Sequence, residues 1–230
     1  MKFKVNEKLF DEYEGLKIGV ITCKNIDNTK LKNDISVDTE NVKAHIKDKF
    51  ADVELANYPV IRRWRDIYKS FGEKKSRSSI EALIRRLLNG HDIPSINPIV
   101  DIYNMLSLKY EVPCGGEDID TISDDIELTY ANGTESFICL GSTEEEHPNE
   151  GEIVYKSGNT VMCRNFNYRE SDITKLTENT KNCVLVIESV IADNSDLDNA
   201  LQELANMVQD NLGGETKINI LKKENNEIEL

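Results

Sequence analysis

Asn97, Asp101 and Asn104 recur at i, i+4 and i+7, a spacing that sets three hydrogen-bonding side chains in one stripe along a helix. Ile99, Ile102 and Leu106 supply the opposite, apolar face, and the helix runs into Pro113-Cys114-Gly115-Gly116-Glu117-Asp118, whose composition predicts a glycine turn. A helix edge and a glycine turn brought together can work on a carbonyl. Glycines leave backbone N–H groups open to close approach, and two such donors can hold a carbonyl oxygen or a developing oxyanion. Asn97 has a structural role available as the helix cap, and Asp101 is favoured near the positive helix start. Asn104 lies mid-helix, where no cap needs it, so Asn104, Gly115 and Gly116 are the candidate catalytic groups.

Other ready-made chemistry is not announced. The three histidines, His45, His91 and His147, have no cysteine, histidine or carboxylate at metal-ligand spacing, so no metal and no cofactor is expected. No GxSxG elbow, phosphate loop or dinucleotide fingerprint is present. The five cysteines are scattered and never form a CxxC pair, which reads as small buried hydrophobes rather than a disulfide or zinc framework. The acidic runs at 124–125 and 144–146 read as solvated surface.

The elements that must position these residues follow from periodicity. Residues 16–23 alternate like a half-buried strand, and 37–50 carry Val42, Ile46 and Phe50 at helical spacing. Two helices are predicted at 59–71 and 78–88, the second capped by serine and stopped at Gly90. A third begins at Asn97-Pro98 and ends at Pro113. Short strands are predicted at 126–130, 136–140, 153–155, 160–163 and 183–191, then a helix over 197–212, a strand over 217–221 and a frayed polar tail over 222–230. Helices early and strands late favour an α+β fold, a mixed or antiparallel sheet with flanking helices. Residues 1–58 read as an N-terminal strand and helix layer of the same fold, and 59–221 as the main domain.

Of the 230 residues, 39% are hydrophobic and the formal net charge is −14; a real core is affordable, and strong affinity for phosphate is not expected overall. The charge is segregated, however. Residues 62–86 hold nine basic and three acidic residues, against 19 basic and 39 acidic elsewhere. That stretch suits either a solvated helix face or a nucleic-acid surface, while Trp64, Tyr68 and Phe71 within it keep the spacing of core packing. No apolar run approaches the ~20 residues of a membrane span, and the charged start does not resemble a signal peptide, so the expected compartment is the cytosol with no membrane partner.

Residues 97–118 resemble a stretch of the tRNA-editing (B3/B4) domain of phenylalanyl-tRNA synthetase β subunits, N-x-x-V-D-x-x-N-x-x-x-L-x-x-x-x-P-x-x-x-x-D, met by Asn97, Val100, Asp101, Asn104, Leu108, Pro113 and Asp118. A second stretch, 161–190, is similar to that domain's other pocket wall, with Thr177 and Thr180 as its T-x-x-T. The run from Arg164 to Thr174 is closer to shorter homologues that carry the domain alone. The resemblance covers roughly 60–220 and implies hydrolysis, in trans, of the ester between a wrong amino acid and the tRNA 3′ end. Such chemistry needs no covalent nucleophile, because positioning and electrostatics suffice.

Carried over, the resemblance gives Tyr103, Asp118, Arg164, Asn165, Thr177 and Glu188 as substrate-binding candidates beside the catalytic three. Gly115 stands where many synthetases have histidine, Arg164-Asn165-Phe166 replaces a glycine-rich run, and the acid that reads a tyrosine hydroxyl aligns near Val186, two places before Glu188. Arg164 suits a carboxylate, a phosphate or a structural ion pair. The expected partner is the aminoacylated end of tRNA. A non-catalytic tRNA or amino-acid binder is the alternative, and an acidic module for a protein partner a third.

Overall fold

The serine and asparagine caps expected at two helix starts are in place. Ser78 Oγ accepts from the Glu81 amide at 3.4 Å, and Asn97 Oδ1 from the Val100 amide at 3.3 Å. The computed structural model describes residues 1–191 and 196–230. In chain order its elements are β1 (Lys2–Val5), α1 (Glu7–Glu12), β2 (Lys17–Lys24), α2 (Ser36–Lys49), α3 (Pro59–Ser70), α4 (Ser79–Leu88), α5 (Pro98–Tyr110), β3 (Cys114–Asp118), β4 (Ile126–Tyr130), β5 (Phe137–Ile138), β6 (Glu145–Glu146), β7 (Ile153–Ser157), β8 (Thr160–Arg164), β9 (Arg169–Glu170), β10 (Cys183–Ser189), α6 (Asp196–Leu212), β11 (Glu215–Leu221) and β12 (Glu227–Glu229).

The fold is α+β, as the pattern predicts, but the strands form two principal sheets. One is six-stranded in the order β12-β1-β4-β7-β8-β9, with β1 and β4 parallel and the other pairs antiparallel. The second is antiparallel, in the order β11-β2-β10-β3. β5 and β6 make a separate two-stranded ribbon.

Alternation along β10 explains the layering. Cys183, Leu185 and Ile187 pack with Ile99, Ile102 and Leu106 of α5 and Leu201, Leu204 and Val208 of α6. Val184 and Val186 face the other way, into a core shared with Phe3, Ile126, Ile153, Met162 and Trp64. The four-stranded sheet is thus covered by helices on one face and by the larger sheet on the other, so every residue of β10 is buried. Trp64, Ile67 and Tyr68 of α3 pack into the intersheet core, and Ile46, Ile84 and Leu108 form a smaller core among α2, α4 and α5. Four of the five cysteines are buried and all are free.

Two expectations are corrected, and one segment is added to those the periodicity predicts. The segment after Pro113 is a strand, because alternate residues of 113–119 pair with β10, rather than a glycine turn. The tail is not frayed: Glu227–Glu229 pairs with β1, Ile228 opposite Phe3. The charged opening hides a strand and a short helix, since Phe3, Val5, Leu9 and Phe10 are buried among its charges. No described helix is long and apolar enough to cross a membrane.

Candidate functional site

Between the two sheets lies a narrow cavity of about 30 Å³, room for about two water molecules. From the smaller sheet come Gly115, Gly116 and Glu117 of β3 and Val184, Val186 and Glu188 of β10; Tyr155, Cys163, Phe166, Asn167 and Glu170 face them. Register explains the first set. Gly115 pairs with Val186 and Glu117 with Val184, so these share the face on which Glu188 continues the valine alternation. A carboxylate therefore stands where the pattern asks for an apolar side chain.

The glycines do different work. The Glu188 amide donates to the Pro113 carbonyl and the Ile119 amide to the Asn182 carbonyl, both at 3.1 Å. Hydrogen-bonded pairs recur every second residue in an antiparallel ladder, so Gly115 spends its amide on Val186 while the Gly116 amide points to the outer edge of the sheet. The expected pair of open donors is reduced to one. A Cβ on Gly116 would lie 2.6 Å from Leu185 Cδ2 and 2.9 Å from Leu176 Cδ1, whereas one on Gly115 would reach only Glu170 Oε1, at 3.5 Å. A side chain at position 115 would thus enter the cavity.

Three carboxyl groups dominate its electrostatics. Glu188 Oε1 accepts from the Tyr155 hydroxyl at 2.5 Å and Oε2 from Asn167 Nδ2. Burial pushes its pKa up to about 7 against these hydrogen bonds, with the Glu170 charge adding to the rise. Burial, then the Glu170 charge, raises Glu117 well above the carboxylate range, and burial also raises Glu170, which accepts hydrogen bonds from Glu117 and from the Cys163 thiol. Glu117 and Glu170 thus share a proton, with the buried Thr174 hydroxyl beside the Glu117 carboxyl. A group poised near neutrality beside two that resist ionisation is an arrangement suited to acid–base work.

The 165–167 loop carries backbone strain into the wall. Asn165 and Phe166 have φ of 51° and 63°, left-handed values that cost a bulky residue energy. Asn165 Nδ2 donates to Ser76 Oγ at 3.3 Å, while Asn167 Oδ1 accepts from the Tyr68 hydroxyl at 2.9 Å and the Ser79 amide at 3.1 Å. This loop links the cavity to the connection between α3 and α4. There, Arg65, Lys69, Lys74, Lys75 and Arg77 line a cleft with Glu73 as its one acid. Arg65 and Arg85 both bind the fully buried Glu81.

The structure brings Gly115, Gly116 and Glu188 together; Tyr103 packs with the core on the helix side of the smaller sheet, and burial, then the charges of Glu170 and Glu117, raises its pKa well above the usual range. Asn104 is not with them. One residue and so 100° further round the helix, it lines a separate cleft with Lys43, Asp92 and Asp101. Arg164 turns away as well, its Nε and Nη2 each 2.7 Å from Glu152 and its Nη1 3.0 Å from Glu146, with the guanidinium over Phe137; it forms the structural ion pair. Asp118 accepts from Thr180 Oγ1 at 2.6 Å and caps a short turn at Asp120, and Thr177 Oγ1 accepts from the Asn179 amide, so both hold local backbone in place. Asn165 is buried behind the cavity wall.

Sequence reasoning missed Glu117, Glu170, Tyr155 and Asn167. The alternation of Val184, Val186 and Glu188 was the one available signal; Glu170 and Asn167 are brought in by tertiary structure. Among the described residues no group of three or more His, Cys, Asp or Glu is placed to hold a metal ion.

Comparison with curated proteins finds no match. Among solved structures the chain is similar to an N-terminal fragment of the phenylalanyl-tRNA synthetase β subunit from Pyrococcus horikoshii, at 16% identity and a TM-score of 0.44. The similarity covers 92% of this chain and 49% of that one, so the chain spans about half the length of that structure. The profile of the B3/4 domain matches residues 63–213, from α3 through α6, with β3 and β10 inside the match; the chain belongs to the B3/4 domain family.

Proposed function

We propose that this protein hydrolyses, in trans, the ester that joins a mischarged amino acid to the 3′ end of tRNA. The observation that carries this reading is the intersheet cavity: the two glycines of β3 stand there beside Glu188, a buried carboxyl poised near pH 7. In the reaction a water adds to the ester carbonyl as Glu188 takes its proton. The Gly116 amide, directed out of the ladder, offers a donor to the carbonyl oxygen as charge develops. The bond to the ribose oxygen then breaks, and that oxygen receives the proton, leaving free amino acid and a tRNA hydroxyl. The cavity holds the water and a small reacting group, while the ribose lies outside at the part-exposed rim of Gly115, Gly116 and Glu170. The basic cleft of the α3–α4 connection supports the same reading, since it gives a strongly acidic chain one surface for phosphates.

The test is release of labelled amino acid from a panel of correctly and wrongly charged tRNAs. Release from a mischarged species, lost in Glu188→Gln, supports the reading. Binding of tRNA without release from any species favours a non-catalytic binder, a reading that Gly115 in place of the family histidine supports.

A further inference from the structure

We propose that the run from Arg164 to Asn167 is a relay through which an RNA phosphate in the basic cleft positions Glu188, so that the body of the tRNA raises the rate at which its own 3′ ester is hydrolysed. The inference rests on the deacylase reading for the reaction, while its structural basis lies outside the cavity. Each residue of the run is tied to a different part of the fold. Arg164 is anchored to Glu152, and Asn165 Nδ2 donates to Ser76 Oγ at 3.3 Å. Phe166 packs edge-on against Trp64 of α3, with ring centroids 5.2 Å apart. Asn167 holds Glu188 through Nδ2 and accepts at Oδ1 from the Tyr68 hydroxyl at 2.9 Å and the Ser79 amide at 3.1 Å.

These partners bracket the cleft. Tyr68 precedes the connection between α3 and α4, Ser76 lies within it and lines the cleft, and Ser79 opens α4. A shift of the connection is therefore felt at Asn165 and Asn167, and through Asn167 at one carboxyl oxygen of Glu188. The other oxygen is held by Tyr155 of the larger sheet, which does not touch the connection. Asn167 is thus a positioning residue, set by the segment that carries the basic side chains.

The junction has a second arrangement to gain. Asn165 Oδ1 and Ser79 Oγ are both buried without a hydrogen-bond partner. One is an acceptor without a donor and the other a hydroxyl without an acceptor, on the two segments that the junction joins, and an arrangement that pairs them is stabilised. In the structure the Ser76 hydroxyl donates to Glu73 at 3.2 Å, the acid that shares the cleft with Arg65, Lys69, Lys74, Lys75 and Arg77. A phosphate among these cations repels the Glu73 carboxylate, takes the Ser76 hydroxyl in its place and draws the connection towards itself. A ligand shifts an equilibrium by binding one arrangement better than the other, and the phosphate does so here. Asn165 and Phe166 already sit at left-handed φ of 51° and 63°, a backbone with little room to absorb the movement, so it passes on to Asn167.

The experiment compares two substrates in single turnover at saturating protein: a mischarged tRNA, and the same amino acid esterified to adenosine. Wild type is set beside Ser79→Ala, which keeps the α4 amide, and Asn165→Gly, which keeps the left-handed backbone. Wild type should hydrolyse the tRNA ester about ten-fold faster than the adenosine ester, an ordinary coupling between two sites. In both variants that ratio should fall towards one, while the adenosine rate and the affinity for tRNA stay at the wild-type values. A readout without turnover is the side-chain amide resonance of Asn167 in isotope-labelled protein, which a blunt RNA duplex lacking the 3′ overhang should shift in wild type and leave in place in Ser79→Ala. Equal rates on the two esters, a ratio that survives both variants, or an Asn167 resonance that ignores the duplex would overturn the proposal. The deacylase reading fails separately, as absence of turnover on every charged tRNA and adenosine ester while the duplex still shifts Asn167.

Discussion

The Tyr155 hydroxyl donates to Glu188 at 2.5 Å, joining β7 of the larger sheet to β10 of the smaller across the cavity. Asn167 holds the other oxygen of the same carboxyl and is itself fixed by Tyr68 of α3 and the first amide of α4. One buried carboxyl therefore ties together both sheets and the start of the basic connection. Its environment sets its protonation, and the protonation sets how the molecule responds to pH.

Stability should fall as pH rises through this window. Glu188 has a folded-state pKa of about 7 against 4.5 when unperturbed. The unfolded chain loses this proton from about pH 4.5 upward while the folded one keeps it to about 7, so the contribution is fully present below the lower value and lost above the upper, about 3 kcal/mol in all. Urea unfolding at pH 5 and pH 7.5 checks this: wild type should be the more stable at pH 5. Glu188→Gln should show a shallower slope, the residue of which comes from Glu117 and Glu170. A wild-type stability that is flat or rises with pH would count against a buried, proton-holding Glu188.

The two glycines should respond differently to the same methyl group. Gly116→Ala places a Cβ against Leu185 and Leu176 and should cost about 1–3 kcal/mol. Gly115→Ala meets only ordinary contact with Glu170 and should stay near wild type. Thermal melts of the two variants would separate them, and equal losses would place the packing constraint elsewhere.

Arg164 should behave as a structural residue. Arg164→Ala leaves Glu152 buried without its cation and should destabilise by about 3–5 kcal/mol. At a temperature where the variant is still folded, its affinity for an aminoacyl probe should match wild type. A selective loss of affinity with unchanged stability would return Arg164 to the binding site.

Lys74 and Lys75 are exposed, line the basic cleft and have no ion-pair partner among the described residues. The double variant Lys74→Glu/Lys75→Glu should weaken tRNA binding and lower the magnitude of its salt slope by about 1–2, while unfolding stability stays within about 0.5 kcal/mol of wild type. Fluorescence anisotropy across a salt series reads it. An unchanged slope would remove this cleft from any contact with RNA.

Local signals carried much of the fold in the sequence. Helices α3, α4 and α5 were legible because each has a cap or an N-terminal proline and a clean apolar face, and β4 because it alternates. The strand at 114–118 was not, since Gly-Gly-Glu-Asp composes like a turn and only pairing with β10 makes it extended. Nor was β12, whose Ile228 gains its meaning from Phe3 at the other end of the chain. Of the candidate residues drawn from the resemblance, Gly115, Gly116 and Glu188 share the cavity. Asn104 lies apart from the cavity because a stripe of polar residues on α5 says which side chains share a face but not what that face meets. Glu117, Glu170 and Asn167 converge from three separate segments, a juxtaposition that no spacing along the chain encodes.

The most direct test of the account is single-turnover deacylation of mischarged tRNA by wild type and by Glu188→Gln across pH 5.5 to 8. The account predicts that wild-type activity rises with pH as Glu188 loses its proton, with a midpoint near 7, and that Glu188→Gln loses both the activity and the profile while remaining folded and still binding tRNA. Equal rates in the two proteins, or a wild-type rate that does not depend on pH in this range, would contradict it.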